Sequence, residues 1–118
     1  MAAYAILTFV MAYPLSASPG ATVVADAPDT HVYIWTIAWD VYAFLHQPLR
    51  IFDANIYHPL PHTLAFSENL TGSAFFAAPF IWLTGNMVLG MNMAALITCV
   101  LCGIGGYVLA RALHLRPG

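Results

Sequence analysis

The sequence has no lysine and very little charge of either sign. Charged residues make up 7% of the 118 positions, whereas soluble proteins average about 25%. The three basic residues, Arg50, Arg111 and Arg116, are too few to form a patch that neutralises a row of phosphates, and this excludes nucleic-acid binding. Because 61% of the chain is hydrophobic, the composition also argues against a soluble globular domain.

Cysteine is too sparse, and wrongly placed, for a disulfide framework. The two cysteines, Cys99 and Cys102, both lie within a long apolar run. A thiolate would be costly in such surroundings. We therefore interpret them as packing residues of a membrane helix rather than as a redox pair.

Charge is absent altogether between Asn69 and Ala110, a stretch about twice the roughly 20 residues that cross a bilayer as a helix. The stretch predicts two embedded pieces. The first is a short, proline-broken helix over residues 72–85 that dips into the membrane or lies at its interface, and the second is a transmembrane helix over residues 86–113. The Thr-Gly-Asn sequence at 84–86 should separate them, because Gly and Asn tolerate the left-handed backbone that ends a helix.

Residues 1–20 form another uncharged stretch, which predicts a first transmembrane helix near residues 3–18. A cleaved secretory signal is the alternative, but such signals begin with a basic segment and this stretch has none. Basic residues cluster at 111–116, so the positive-inside bias places residues 114–118 in the cytoplasm and residues 21–85 outside. The predicted fold is an all-α integral membrane protein, with two transmembrane helices flanking a long external loop and the lipid bilayer as a partner.

The external loop, residues 21–71, contains all five acidic residues and four of the five histidines. Its first part predicts an amphipathic helix over residues 29–46, with a polar stripe and an adjacent aromatic stripe. Aromatic side chains of this kind favour a membrane–water interface. The polar stripe contains Asp29, Tyr33, Thr36, Asp40 and Gln47, and the aromatic stripe contains Val32, Trp35, Trp39, Tyr42 and His46.

Two aspartates of this helix have ordinary structural interpretations. Asp29 follows a proline at the helix start, where a carboxylate meets the positive end of the helix dipole. Asp40 fits a solvated polar face. The pattern alone leaves a functional and a structural interpretation open for both residues.

The second part of the loop contains three prolines and no helical period, which predicts an ordered coil. His58 and His62 have the spacing of a helical metal-binding pair, but the intervening prolines preclude that helix. We interpret both histidines as loop residues, and the sequence identifies no metal site.

Four segments resemble the amino-terminal part of bacterial polytopic membrane glycosyltransferases of the GT-C type. They are DTHVYIWTIAWD, PLRIFDANIYHPLPHTLAFSEN, PFIWLTGNMVLGMN and LCGIGGYVLARAL, which together cover roughly residues 26–113. The resemblance implies many transmembrane helices, a large first external loop with interfacial helices, and transfer of a sugar from a polyprenyl-phosphate carrier to an acceptor outside the cytoplasm.

The resemblance also implies roles for individual residues. An aspartate early in the first external loop commonly takes part in catalysis in this family, and Asp29 matches it by position, with Asp40 as a second candidate. Arg50 is the loop cation that would meet the lipid-linked phosphate. Trp35 and Trp39 are the remaining candidates for substrate binding. Whether a divalent metal is the cofactor stays unknown, since no ligand set in the sequence supports one.

The expected function is therefore that of the amino-terminal part of a multi-pass glycosyltransferase in the bacterial inner membrane, inactive without the rest of the enzyme. The alternative is a small non-catalytic membrane subunit that packs against partner helices of another chain. Small residues at Cys102, Gly106 and Ala110 suit either, because they let further transmembrane helices approach closely. A reading frame that continues past Gly118 with more apolar spans would favour the enzyme.

Overall fold

The computed structural model describes residues 2–23, 28–68 and 70–113, and within these ranges it contains helices and no strand. This confirms the all-α prediction. The four α-helices are α1 Ala2–Met11, α2 Pro28–His46, α3 Thr71–Thr84 and α4 Met87–Ala112, and two short 3-10 turns lie at Pro48–Arg50 and Thr63–Phe66.

Helix α4 is long and apolar enough to cross a membrane. Its 26 residues extend about 39 Å at 1.5 Å per residue, which exceeds the roughly 30 Å hydrocarbon core. Only 22% of its most apolar 18-residue window is buried within the chain. A core helix of a soluble protein would be mostly covered, so the exposed apolar surface of α4 favours a membrane environment.

Helix α1 is shorter than the predicted first transmembrane helix over residues 1–20. It ends at Met11, and its ten residues extend only about 15 Å. The chain continues in turns through residues 12–21, where Pro14 has no N–H to donate to a continuing helix. Of the two predicted spans, the structure therefore supports the one at α4, and the first span stays a prediction.

Helix α3 is continuous, so the predicted break within residues 72–85 is wrong. It runs through Pro79. A proline removes one helical hydrogen bond, and an apolar helix packed against neighbours tolerates that loss. The predicted separation of α3 from α4 is confirmed: Gly85 has a left-handed φ of 70°, and the Asn86 side chain accepts a hydrogen bond from Leu89 N–H at 2.9 Å.

Helices α3 and α4 pack closely because small residues line their contact. Ala74, Ala77 and Ala78 of α3 are buried, and a side chain added at Gly90 of α4 would meet Ile81 Cδ1 at 2.8 Å. Helix α2 completes the core through Ile37 and other apolar residues. The buried cluster comprises Ile37, Val41, Ala74, Ala77, Ala78 and Ala94.

Asparagines of α4 fix the segment that follows α1. The Asn92 side chain is 1% exposed, and its Nδ2 donates to the carbonyls of Pro19 and Thr22, each at 2.7 Å. Asn86 Nδ2 donates to the Gly20 carbonyl at 2.9 Å. These bonds hold the segment against the first turns of α4.

The far half of α4 faces outward. Cys102 is exposed, and a side chain added at Gly106 would have no neighbour within 4 Å in the described chain. Gly103 instead lies against Tyr4 of α1. The prediction that the Cys102, Gly106 and Ala110 stripe contacts further helices stays a prediction, and the predicted cytoplasmic end at 114–118 lies outside the described residues.

Candidate functional site

Helix α2 buries the middle of its polar stripe, whereas the first residue of that stripe, Asp29, is exposed. Thr36 and Asp40 are each 1% exposed, so the interpretation of Asp40 as a solvated residue is wrong. Trp35, Trp39, Tyr42 and His46 form a ladder along the other side, with successive ring centroids 6.5, 5.8 and 4.1 Å apart. Asp40 of the polar stripe contacts the start of α3, whereas Trp35 and Trp39 of the aromatic stripe are half-buried beside the coil that follows α2.

A groove runs between α2 and the coil that precedes α3. Its volume is about 850 Å³, within the roughly 300–1,000 Å³ of small-molecule sites, and its lining is mainly apolar and aromatic. Helix α2 forms one wall and residues 56–67 form the other. The lining residues are His31, Val32, Trp35, Thr36, Ile56, Tyr57, Leu60, Thr63, Leu64, Phe66 and Ser67.

The coil wall of the groove is held by its own hydrogen bonds. Leu64 N–H donates to the Phe52 carbonyl at 3.1 Å, and His62 N–H donates to the Asp53 carboxylate at 2.8 Å. His62 has a φ of 56°, a left-handed conformation that this carboxylate stabilises by accepting its N–H. The predicted ordered coil therefore folds back on itself and is held by hydrogen bonds between its two ends.

A smaller, polar pocket adjoins the groove at the start of α2. Its volume is about 230 Å³, and it shares Val32, Thr36 and Ser67 with the groove lining. The remaining lining residues are Asp29, Tyr33 and Glu68. We call this hollow the acidic pocket, since it combines two carboxylates with one phenol.

The acidic pocket joins α2 to the end of the coil through Tyr33 and Glu68. A hydrogen bond between these side chains, with Tyr33 as donor, raises the pKa of the Tyr33 phenol, and the Glu68 charge, burial and the Asp29 charge raise it further. The phenol therefore stays protonated. Ser67 and Glu68 are the residues of this pocket that the sequence patterns did not indicate.

Asp29 lies in the first turn of α2 and is exposed. The predicted catalytic residue thus lines the acidic pocket and also occupies a helix start, where its charge meets the helix dipole. Both interpretations of Asp29 are compatible with this position. Asp26, the other acid near the helix start, lies outside the described residues.

Asp40 lies at the contact between α2 and α3. Thr71 Oγ1 donates to its Oδ2 at 3.2 Å, and its buried Oδ1 has no hydrogen-bond partner in the described chain. Burial raises the pKa of the Asp40 carboxyl, and the Thr71 hydrogen bond lowers it by a smaller amount. Eleven residues of helix separate Asp40 from Asp29, about 16 Å at 1.5 Å per residue, so the two carboxylates do not share a site.

The other predicted site residues take different positions. Trp35 lines the groove, whereas Trp39 lies outside both linings and donates from Nε1 to the Ile51 carbonyl at 2.8 Å. Arg50 also lies outside both linings; its side chain is 77% exposed and its Nε is 3.8 Å from Asp53 Oδ2. Trp39 therefore anchors the coil to α2, and Arg50 extends from the surface.

The described residues contain no group of three or more histidine, cysteine or acidic side chains arranged to hold a metal ion. His62 Nδ1 lies 3.0 Å from Asp53 Oδ1, which gives this histidine a carboxylate partner within the coil.

No protein-family model, curated protein or solved structure matches this chain. Its function must therefore be argued from the groove and the acidic pocket.

Proposed function

We propose that the chain is the amino-terminal part of a membrane glycosyltransferase that transfers a sugar from a polyprenyl-phosphate donor to an acceptor outside the cytoplasm. The observation that supports this proposal best is the position of Asp29 in an acidic pocket that opens into an apolar groove. The groove suits a hydrocarbon chain, and the pocket suits hydroxyl groups. Bacterial inner-membrane localisation, with residues 21–85 on the external face, belongs to the same proposal.

In this proposal Asp29 acts as a general base or orients the acceptor. The carboxylate accepts the proton of an acceptor hydroxyl, the acceptor oxygen forms a bond to the anomeric carbon, and the bond from that carbon to the phosphate oxygen breaks. Polyprenyl phosphate leaves with the electron pair. Arg50 is the candidate cation for its phosphate, reached by charge-assisted hydrogen bonds.

Substitution of Asp29 by asparagine tests the proposal. Asn keeps the shape and the hydrogen bonds of a helix start but removes the charge, so a purely structural Asp29 predicts near-normal transfer and a stability loss of about 1 kcal/mol or less. A general base predicts a fall of roughly a hundredfold or more in rate. The assay is sugar transfer from a polyprenyl-phosphate donor in reconstituted membranes, with protein produced from its own complete reading frame.

Asp40→Asn at equal protein level is the companion variant, because it removes the second candidate carboxylate. Loss of transfer in Asp40→Asn with full transfer in Asp29→Asn would move the catalytic role to the α2–α3 contact. Full transfer in both would end the proposal that a carboxylate of this loop is the base.

A non-catalytic membrane subunit is the second candidate, and the outward face of α4 favours it. Large apolar side chains at Leu101, Val108 and Leu109 are exposed beside Cys102 and Gly106. Such a face can pack against helices of another protein. This function predicts no transfer activity in any variant.

A further inference from the structure

We propose that the groove and the acidic pocket together bind the acceptor, and that this acceptor is a membrane amphiphile with an apolar chain and an uncharged, hydroxyl-bearing head. The proposal rests on the proposed function but names the ligand that this site takes. The phosphate-bearing donor is assigned to another part of the enzyme.

The continuity of the two hollows supports one ligand with two chemically different ends. Val32, Thr36 and Ser67 line both, so the two hollows adjoin and one molecule can occupy the groove and the pocket together. Aromatic and aliphatic side chains, Trp35 and Leu64 among them, line the groove and would contact a hydrocarbon chain. A chain with an apolar, membrane-length helix has lipids beside it as ligands.

The charges of the pocket determine which head group it accepts. Asp29 and Glu68 place two carboxylates in a hollow of about 230 Å³, and no lysine or arginine lines either hollow in the described chain. A phosphate would meet two carboxylates of its own sign and no cation in the lining, which disfavours its binding there. Sugar hydroxyls, by contrast, can donate to both carboxylates.

Tyr33 has a positioning role in this arrangement. Its hydroxyl donates to Glu68, so the coil end and the start of α2 are joined across the pocket. Removal of the hydroxyl frees the Glu68 carboxylate from its donor and loosens that wall. Head-group recognition should therefore weaken while the apolar groove persists.

Photolabelling in lipid vesicles tests the proposal directly, with two probes that share one octadecyl chain carrying a mid-chain diazirine. One probe has a glucoside head and the other a phosphate head. Labelling is measured by mass spectrometry of peptides spanning residues 56–67, which form the coil wall of the groove. We expect the glucoside to label this segment about tenfold more than the phosphate.

Three variants and one control test whether the preference for the glucoside over the phosphate depends on the acidic pocket. Glu68→Gln and Tyr33→Phe should reduce glucoside labelling several-fold, and the double variant Asp29→Asn with Glu68→Gln should bring phosphate labelling close to that of the glucoside. Tyr42→Phe, which removes a phenol hydroxyl outside both linings and is matched to Tyr33→Phe, should change neither.

Equal labelling by both probes in the unsubstituted protein, a preference for phosphate, or an absence of label in residues 56–67 would overturn the proposal. Because the readout is binding, it is independent of sugar transfer. Selective glucoside labelling without transfer would refute the proposed function alone, whereas transfer without labelling of this segment would refute the amphiphile site alone.

Discussion

Asp40 is the residue at which helix packing and charge conflict. Its carboxyl is 1% exposed and accepts one hydrogen bond, from Thr71, while Oδ1 has none in the described chain. The position also lies at the start of α3, where a carboxylate meets the positive end of that helix dipole. Burial outweighs these favourable contacts, and the pKa of the Asp40 carboxyl is therefore raised.

The raised pKa makes a prediction about stability. The folded protein binds the Asp40 proton more tightly than the unfolded chain does. The contribution of Asp40 to the free energy of unfolding is therefore greatest at low pH and is lost as pH rises through the folded-state pKa. Asp40→Asn keeps an oxygen for Thr71 and cannot ionise. The free energy of unfolding of Asp40→Asn, measured relative to that of the parent, should therefore be higher at pH 8 than at pH 4.

Thermal unfolding in detergent at pH 4, 6 and 8 measures this difference. Asp53→Asn is the matched control, since its side chain is 26% exposed and still offers an oxygen to His62 N–H. It should show no advantage that grows with pH. Parallel pH curves for the parent and Asp40→Asn would contradict the prediction.

Residue-level features were predictable where they depend on local chemistry. The helix end at Gly85 and the cap at Asn86 follow from the conformations that these residues tolerate. The burial of Asp40 and the place of Glu68 in the pocket depend on which face of α2 meets α3 and on how the coil folds back. Tyr33 lies one helical turn after Asp29 and was predicted on the same stripe, but nothing local to Glu68 indicates its partner.

At the scale of elements, the close approach of α3 to α4 depends on the absence of a side chain at Gly90. An added Cβ would clash with the Ile81 side chain and lie 3.3 Å from the Ala77 carbonyl. The apolar run predicted both helices, but it did not indicate which of the α4 glycines forms the contact. That choice depends on the rotation of α4 about its axis, which packing sets.

Gly90→Ala and Gly106→Ala test this contact within one helix. Both changes gain helix propensity, worth about 1 kcal/mol. At Gly90 the added methyl group forces Ile81 or α3 to move, at a cost of roughly 1–3 kcal/mol, whereas Gly106 has open space around it in the described chain. We therefore expect Gly90→Ala to unfold at a lower temperature in detergent than Gly106→Ala. Equal melting temperatures would show that α3 and α4 do not pack closely at Gly90.

At the scale of the whole molecule, the helices divide into a packed half and an exposed half. Helices α2, α3 and the first half of α4 share the buried cluster, while most residues in the second half of α4 are exposed and Gly103 lies against Tyr4 of α1. Composition predicted the long apolar helix α4, whose uncharged run is long enough to cross a membrane. The prediction of a first span over residues 1–20 rested on composition too; α1 ends at Met11, before Pro14, and that span stays a prediction.

The proposed topology predicts opposite labelling at two exposed leucines. Leu49 follows α2 and is 98% exposed, and Leu113 follows α4 and is 62% exposed. With Cys99 and Cys102 replaced by alanine, a cysteine at each position reports which side of the membrane it occupies. If α4 spans the bilayer with its carboxyl end inside, a membrane-impermeant maleimide should label Leu49→Cys in sealed right-side-out spheroplasts and Leu113→Cys only after permeabilisation.

The labelling pattern of the two cysteines distinguishes three arrangements of the chain relative to the membrane. Labelling of both cysteines in sealed spheroplasts would mean that α4 does not cross the membrane, and the reverse pattern would place the groove and the acidic pocket in the cytoplasm. Release of the protein from membranes by alkaline carbonate would show that α4 is not embedded at all. Only the predicted pattern, with the protein retained after carbonate, leaves Asp29 and Glu68 on the side where the proposed sugar transfer takes place.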